Sequence, residues 1–251
     1  MNSVTIVPCE ELKDFVSHFW AGTMSADEQT NFIYHFTANP NTELAFAFKS
    51  SPDRHPTLVF SSILGHTASF GQVSENSFVN IVGVSLFSHA VPLFLNVSPS
   101  DLINQFTDLE TLLGNSGRMI NEKMETALTV NDYIKILSDY FKSQLSKKYL
   151  EDKLMTNAMK QIRKYHGTVS INQLASTCCL SEKQFERRFT AYSGFKPKLY
   201  SRIIRFESAL WQSKHYENLT AVAHTFGYYD QSHFIRDFKK FTGSAPGSFI
   251  R

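Results

Sequence analysis

Two short runs place the same kinds of side chain in the same register. One holds Lys183, Gln184, Glu186, Arg187 and Thr190; the other holds Gln231, Ser232, Ile235, Arg236, Lys239 and Lys240. Lysines grip phosphate as point charges, whereas an arginine fork matches the two acceptors on the major-groove edge of guanine. With Phe185 at zero and about 100° per residue, Lys183, Arg187 and Thr190 point away from the aromatic side of a helix, with Gln184 and Glu186 beside them. In the second run Ser232, Arg236 and Lys239 point away, flanked by His233 and Ile235. One such helix is ordinarily just a solvated basic face. Two copies with arginine at one register favour a surface that reads nucleic acid.

The elements that must carry these residues repeat as well. Ile171 to Ser181 is followed by Phe185, Arg187, Phe189, Gly194, Pro197 and Tyr200. Leu219 to Asp230 is followed by Phe234, Arg236, Phe238, Gly243, Pro246 and Phe249. Ala175 to Ala223 is an offset of 48, while Phe185–Phe234, Arg187–Arg236, Phe189–Phe238, Gly194–Gly243 and Pro197–Pro246 are each offset by 49. Five positions at one offset indicate an internal duplication with one extra residue in the second turn. Each unit reads as a short apolar helix, a turn, a polar N-cap (Ser181 or Asp230), and an amphipathic helix. Aromatics at i, i+4 and i+7 give that helix a buried stripe: Phe185, Phe189, Tyr192, and Phe234, Phe238, Phe241. Gly194 and Gly243 fit left-handed C-caps. Two helices joined by a tight turn form a helix-turn-helix, here at about 171–192 and 219–241. Pro197 opens a linker helix to about 213, roughly 25 Å long, set against the roughly 34 Å between successive major grooves. On it, Arg202 and Arg205 suit phosphate contact, solvation or pairing with Glu207.

This segment resembles the DNA-binding domain of the AraC/XylS family of bacterial transcription regulators. The second half carries the signature in Ala223, Phe226-Gly-Tyr, Asp230-Gln-Ser-His-Phe234, Arg236, Phe238-Lys-Lys-Phe-Thr-Gly243, Pro246 and Phe249. Cys179 departs from it, since the first turn in the family often has glycine; a non-glycine there costs about 1 kcal/mol. The resemblance implies double-stranded DNA and RNA polymerase as partners, a homodimer, and an N-terminal domain that is often a cupin-like β-barrel sensing a small-molecule effector.

Charge agrees with that division. From Lys153 to Arg251 sixteen Lys and Arg face six Asp and Glu, a net of +10. The other 152 residues have nine against seventeen, a net of −8. The basic part suits a polyanion and the acidic part does not. No start resembles a signal peptide, and Ile81 to Val97 is too short and interrupted to span a bilayer. Cys9, Cys178 and Cys179 cannot form a disulfide framework, so a cytoplasmic protein with reduced thiols and no membrane contact is expected.

Residues 8–20 have helix-like apolar spacing. From Gly22 to about Asn96, short runs rich in Phe, Val, Thr and Ile alternate with turn residues, suggesting a small sandwich or barrel. His35, His66, His89 and Glu43 lie on expected strands, but no His-x-His pair is present, so neither a metal nor another cofactor is expected, nor any catalytic residue. The aromatics Phe32, Phe36, Phe46, Phe48, Phe60 and Phe70 suit either a core or an apolar ligand pocket. A metalloenzyme of cupin type tethered to a helical domain is the rival reading. Ser98-Pro-Ser-Asp101 reads as a helix start with Leu102, Ile103 and Phe106 on its face. Further helices carry Leu109, Leu112 and Leu113, then Met119, Ile120, Met124 and Leu128, and then Ile134, Leu137, Phe141 and Leu145 from Asn131. That last stripe suits either a dimer seam or packing on its own barrel. The polar run Ser146 to Lys153 marks a boundary. The expected architecture is α+β and multidomain. Residues 1–150 form a cupin-like regulatory barrel with a helical appendage. Residues 151–251 form an all-α domain with two helix-turn-helix motifs.

Overall fold

The computed structural model describes residues 2–24, 32–51, 54–75, 79–145, 151–213, 216 and 218–248. The side chains of Phe32 and His35, most of the expected boundary at 146–153, and Phe249 lie outside the described residues. The chain divides into two compact units, and 151–251 forms the bulk of the second, with 35–40 and 67–71 joining it.

The first unit is built on a six-stranded antiparallel sheet in the order β1-β2-β7-β4-β5-β8. Its strands are β1 (Asn2–Ile6), β2 (Val16–Met24), β4 (Asn41–Ser51), β5 (Arg54–Leu64), β7 (Val79–Phe87) and β8 (Phe106–Asp108), while β3 (Phe32–Phe36) and β6 (Gly71–Glu75) pair separately. The long central strands alternate as a two-faced sheet must. One face sends Phe19, Leu44, Phe46, Phe48, Val82, Val84 and Leu86 into the main core. Ala47 and Ile81 lie in a smaller cluster with Trp20, Ala45 and Phe60 against them. Among the described residues β1 and β8 do not pair, so the sheet is cupin-like in texture but open rather than a closed barrel.

The first core is completed by α1 (Val91–Leu95), α2 (Leu109–Leu113), α3 (Asn115–Glu125) and α4 (Val130–Leu145). Leu137 and Phe141 of α4 are fully buried in it, and the Phe141 ring lies 4.7 Å from that of Phe94. The α4 stripe therefore packs on its own sheet, which leaves those two side chains no surface for a second copy.

Two expectations change. Residues 8–15 form no helix: Val16 and Phe15 donate to the Leu12 carbonyl in a single turn, and β2 begins at once. The helical spacing was real, since Leu12 and Val16 are both buried, but β2 gains two pairing partners, β1 and β7. Likewise Ser98 caps only a short 3-10 turn, Pro99–Leu102; Phe106 is exposed and starts β8 beside β5.

The second unit is helical where it matters: α5 (Lys153–Lys164), α6 (Ile171–Thr177), α7 (Glu182–Ser193), α8 (Pro197–Gln212), α9 (Leu219–Thr225) and α10 (Gln231–Thr242).

Candidate nucleic-acid interface

Helix α7 starts where its sequence says it must. Ser181 accepts from the Gln184 backbone N–H while the Gln184 side chain accepts from the Ser181 N–H, a reciprocal capping box that satisfies two orphan donors. Phe185 and Phe189 are buried one turn apart, 5.6 Å between centroids, and Phe189 meets Tyr200 of α8 edge-on at 5.4 Å. Gly194 closes the helix at φ 80°, its N–H on the Thr190 carbonyl at 2.8 Å. Cys179 in the preceding turn has φ 55°, a left-handed conformation that ordinarily favours glycine.

Helix α10 repeats the plan with other residues. Asp230 accepts from the His233 N–H at 2.6 Å, Phe234, Phe238 and Phe241 are fully buried, and Gly243 ends the helix at φ 75°. In the turn before it, Gly227 (φ 67°) occupies the position matching Cys179.

With both apolar stripes turned inward, Lys183, Arg187, Ser232, Arg236, Lys239 and Lys240 are exposed. Arg187 and Arg236 show no ion pair among the described residues. The other expected readers are less available. Glu186 is half-buried and pairs with Lys196 at 3.0 Å. Gln231 accepts from the Thr220 hydroxyl of α9 at 3.1 Å, and Ile235 is half-buried. Thr190 is half-buried, and its hydroxyl oxygen is covered and faces no partner among the described residues.

The linker helix engages both of its arginines with partners other than Glu207, though each stays partly exposed. Arg202 donates to Asp237 of α10 through two nitrogens, at 2.6 and 3.5 Å, where Asp237 is only 3% exposed. Arg205 donates to the carbonyls of Gly167 at 2.9 Å and Gly227 at 3.3 Å and lies over the Tyr228 ring. Glu207 is half-buried, and that desolvation raises its carboxyl pKa; the Arg163 charge opposes the rise. Arg188, adjacent to the free Arg187, is held by Asp152, the N-cap of α5, at 2.5 and 2.9 Å. Sequence spacing could not separate Arg187 from Arg188 by partner, because Asp152 is 36 residues away.

His66 and His89 are both packed inside the first unit. His66 is buried with Nδ1 3.2 Å from the Thr42 hydroxyl, and burial lowers its pKa to about 4. His89 Nε2 lies 2.9 Å from the Asp14 carbonyl and its ring stacks on Phe87. Among the described residues no group of three or more His, Cys, Asp or Glu could hold a metal ion, and no helix is long and apolar enough to cross a membrane. Phe46 and Phe48 are core, whereas Phe70 is half exposed. A cavity of about 500 Å³ lies instead among the helices, lined by Leu93, Phe94, Val97, Leu112, Leu113 and Tyr140 among others.

A family model described as a helix-turn-helix domain matches residues 174–251, and one described as a domain of unknown function (DUF6597) matches 4–108. No curated protein matches. Solved structures similar to this chain include ToxT from Vibrio cholerae O395, at 14% identity over 91% of this chain and 95% of that one, TM-score 0.47. ToxT bound to (E)-4-(8-methylnaphthalen-1-yl)but-3-enoic acid is similar at 12% identity over 99% and 98%, TM-score 0.49. ToxT of strain SCE256 with a bound unsaturated fatty acid is similar at 13% identity over 90% and 96%, TM-score 0.48.

Proposed function

We propose that the chain is a DNA-binding transcription regulator of the AraC type, a reading supported by the helix-turn-helix family model over residues 174–251, and that α7 and α10 enter adjacent major grooves on one face of duplex DNA. The observation that carries this reading is the duplicated helix itself: two capped, aromatic-backed helices present Arg187 and Arg236 at one register, both exposed. Each arginine addresses a guanine edge through its fork. Lys239 and Lys240 grip phosphate, and Lys183 and Ser232 are the secondary readers best placed, ahead of Glu186, Gln231 and Ile235.

A homodimer and contact with RNA polymerase belong to the same proposal, as does control by a small ligand. For that ligand the first unit offers the cavity among its helices, whose lining residues carry no charge. Selection of sites from random duplex by the full chain tests the core of the reading. It should return two half-sites, each with a guanine, about one helical turn apart. No enrichment, or enrichment of a single half-site, would sink it.

A further inference from the structure

We infer that Arg205 sets the spacing between the two recognition helices, and so decides how far apart the two half-sites on DNA must lie. The inference rests on the two-groove reading above. Its physical basis is a single guanidinium shared between the turn that leads into the first motif and the turn inside the second. Arg205 projects from the middle of α8. Its Nη2 donates to the carbonyl of Gly167, in the turn that leads from α5 into the first motif, at 2.9 Å. Its Nη1 donates to the carbonyl of Gly227, in the turn of the second motif, at 3.3 Å. The plane of the fork lies over the buried Tyr228 ring, 5.6 Å from its centroid.

Both acceptor residues are left-handed, Gly167 at φ 70° and Gly227 at φ 67°, and both turns are tightly seated. A Cβ on Gly167 would fall 2.1 Å from the Ser201 carbonyl oxygen and 2.9 Å from the Arg205 nitrogen, so that turn rests directly on α8. A Cβ on Gly227 would meet Thr168 at 3.1 Å, so the two turns touch each other. The edge-on rings of His166 and Phe226, 5.9 Å apart, belong to the same junction. The other buried tie of α8, Arg202 to Asp237, reaches only the second motif, and Arg188 to Asp152 stays on the side of the first. Arg205 is hydrogen-bonded both to the turn before the first motif and to the turn of the second. Lysine would hold the two carbonyls less firmly, because its ammonium sits on a flexible stem and lacks the fixed fork.

A spacing device has a signature that mere instability lacks. Loss of stability weakens binding to every duplex alike, whereas loss of the strut changes the ratio between duplexes. The full chain, Arg205→Ala and Arg205→Lys are each titrated with the selected site and with sites carrying one base pair more or fewer between the half-sites. Melting of each protein is followed alongside. The parent chain should lose about tenfold or more in affinity per displaced base pair, because one helix then faces the wrong edges. Arg205→Ala should bind its best site more weakly and discriminate among spacings by less than about threefold, with Arg205→Lys between the two. If Arg205→Ala does not fold, the Arg205→Lys ratio decides by the same measure. A folded variant that is uniformly weaker yet keeps the parental spacing ratio overturns the strut. A parent chain that binds its selected site without any spacing preference overturns the two-groove reading, and the strut falls with it.

Discussion

At the scale of residues, the second unit sorts its arginines by partner. Arg188, Arg202 and Arg205 are held by a carboxylate or by carbonyls, whereas Arg187 and Arg236 project unpaired among the described residues. Arg236→Ala should therefore cost about 1–3 kcal/mol at the preferred site and relax one position of the motif, which competition against single-base variants will show. Lys239→Ala should weaken all sequences alike and reduce the slope of log K against log salt by about 1. Cys179, left-handed and exposed, offers a gain instead. Replacing it with glycine relieves about 1–2 kcal/mol of steric cost and returns part of that as chain entropy, so Cys179→Gly should raise stability by roughly 0.5–1 kcal/mol in chemical denaturation. His66 links stability to acidity. Its folded pKa of about 4 lies below the ordinary 6.5, so the unfolded chain binds the proton more tightly. The stabilising difference is whole above pH 6.5 and is lost as pH falls towards 4, with a slope of up to about 1.4 kcal/mol per pH unit. His66→Gln should remove that slope from the melting profile of the first unit.

At the scale of elements, legibility followed how local each cause was. The start and end of α7 and α10 were readable, because a cap residue, an aromatic stripe and a closing glycine lie within one helix length, and the duplication stated them twice. The bounds of α8 were readable from Pro197 for the same reason. Val16–Met24 was not: its strand state comes from β7, more than fifty residues on, and Leu12 with Val16 satisfies a helical period equally well. Nor could spacing tell that Arg205 meets two glycine carbonyls, since both acceptors are backbone atoms with no side-chain signature. The covered hydroxyl of Thr190 was invisible in the same way. Helix α4 shows the ambiguity resolved by packing. Leu137 sits at 0% exposure among the sheet and α1 residues, so Leu137→Glu buries an unpaired charge. It should unfold the first unit, seen as an early melting transition. A folded variant with unchanged melting but altered sedimentation would refute that placement.

At the scale of the whole chain, the two motifs are alike in plan and unlike in detail. The first presents Lys183 and Arg187 behind a serine cap; the second presents Ser232, Arg236 and Lys239 behind an aspartate cap, with one more residue in its turn. A reader built from two unequal halves has a front and a back. It cannot seat on an inverted site by swapping one motif for the other, because each half would then face edges meant for its sibling. On the proposed two-groove reading, DNA binding by one chain is therefore directional. The sequence that recruits it would then also dictate which end of the molecule points downstream, so reversing the site in place should turn the regulator around rather than merely move it.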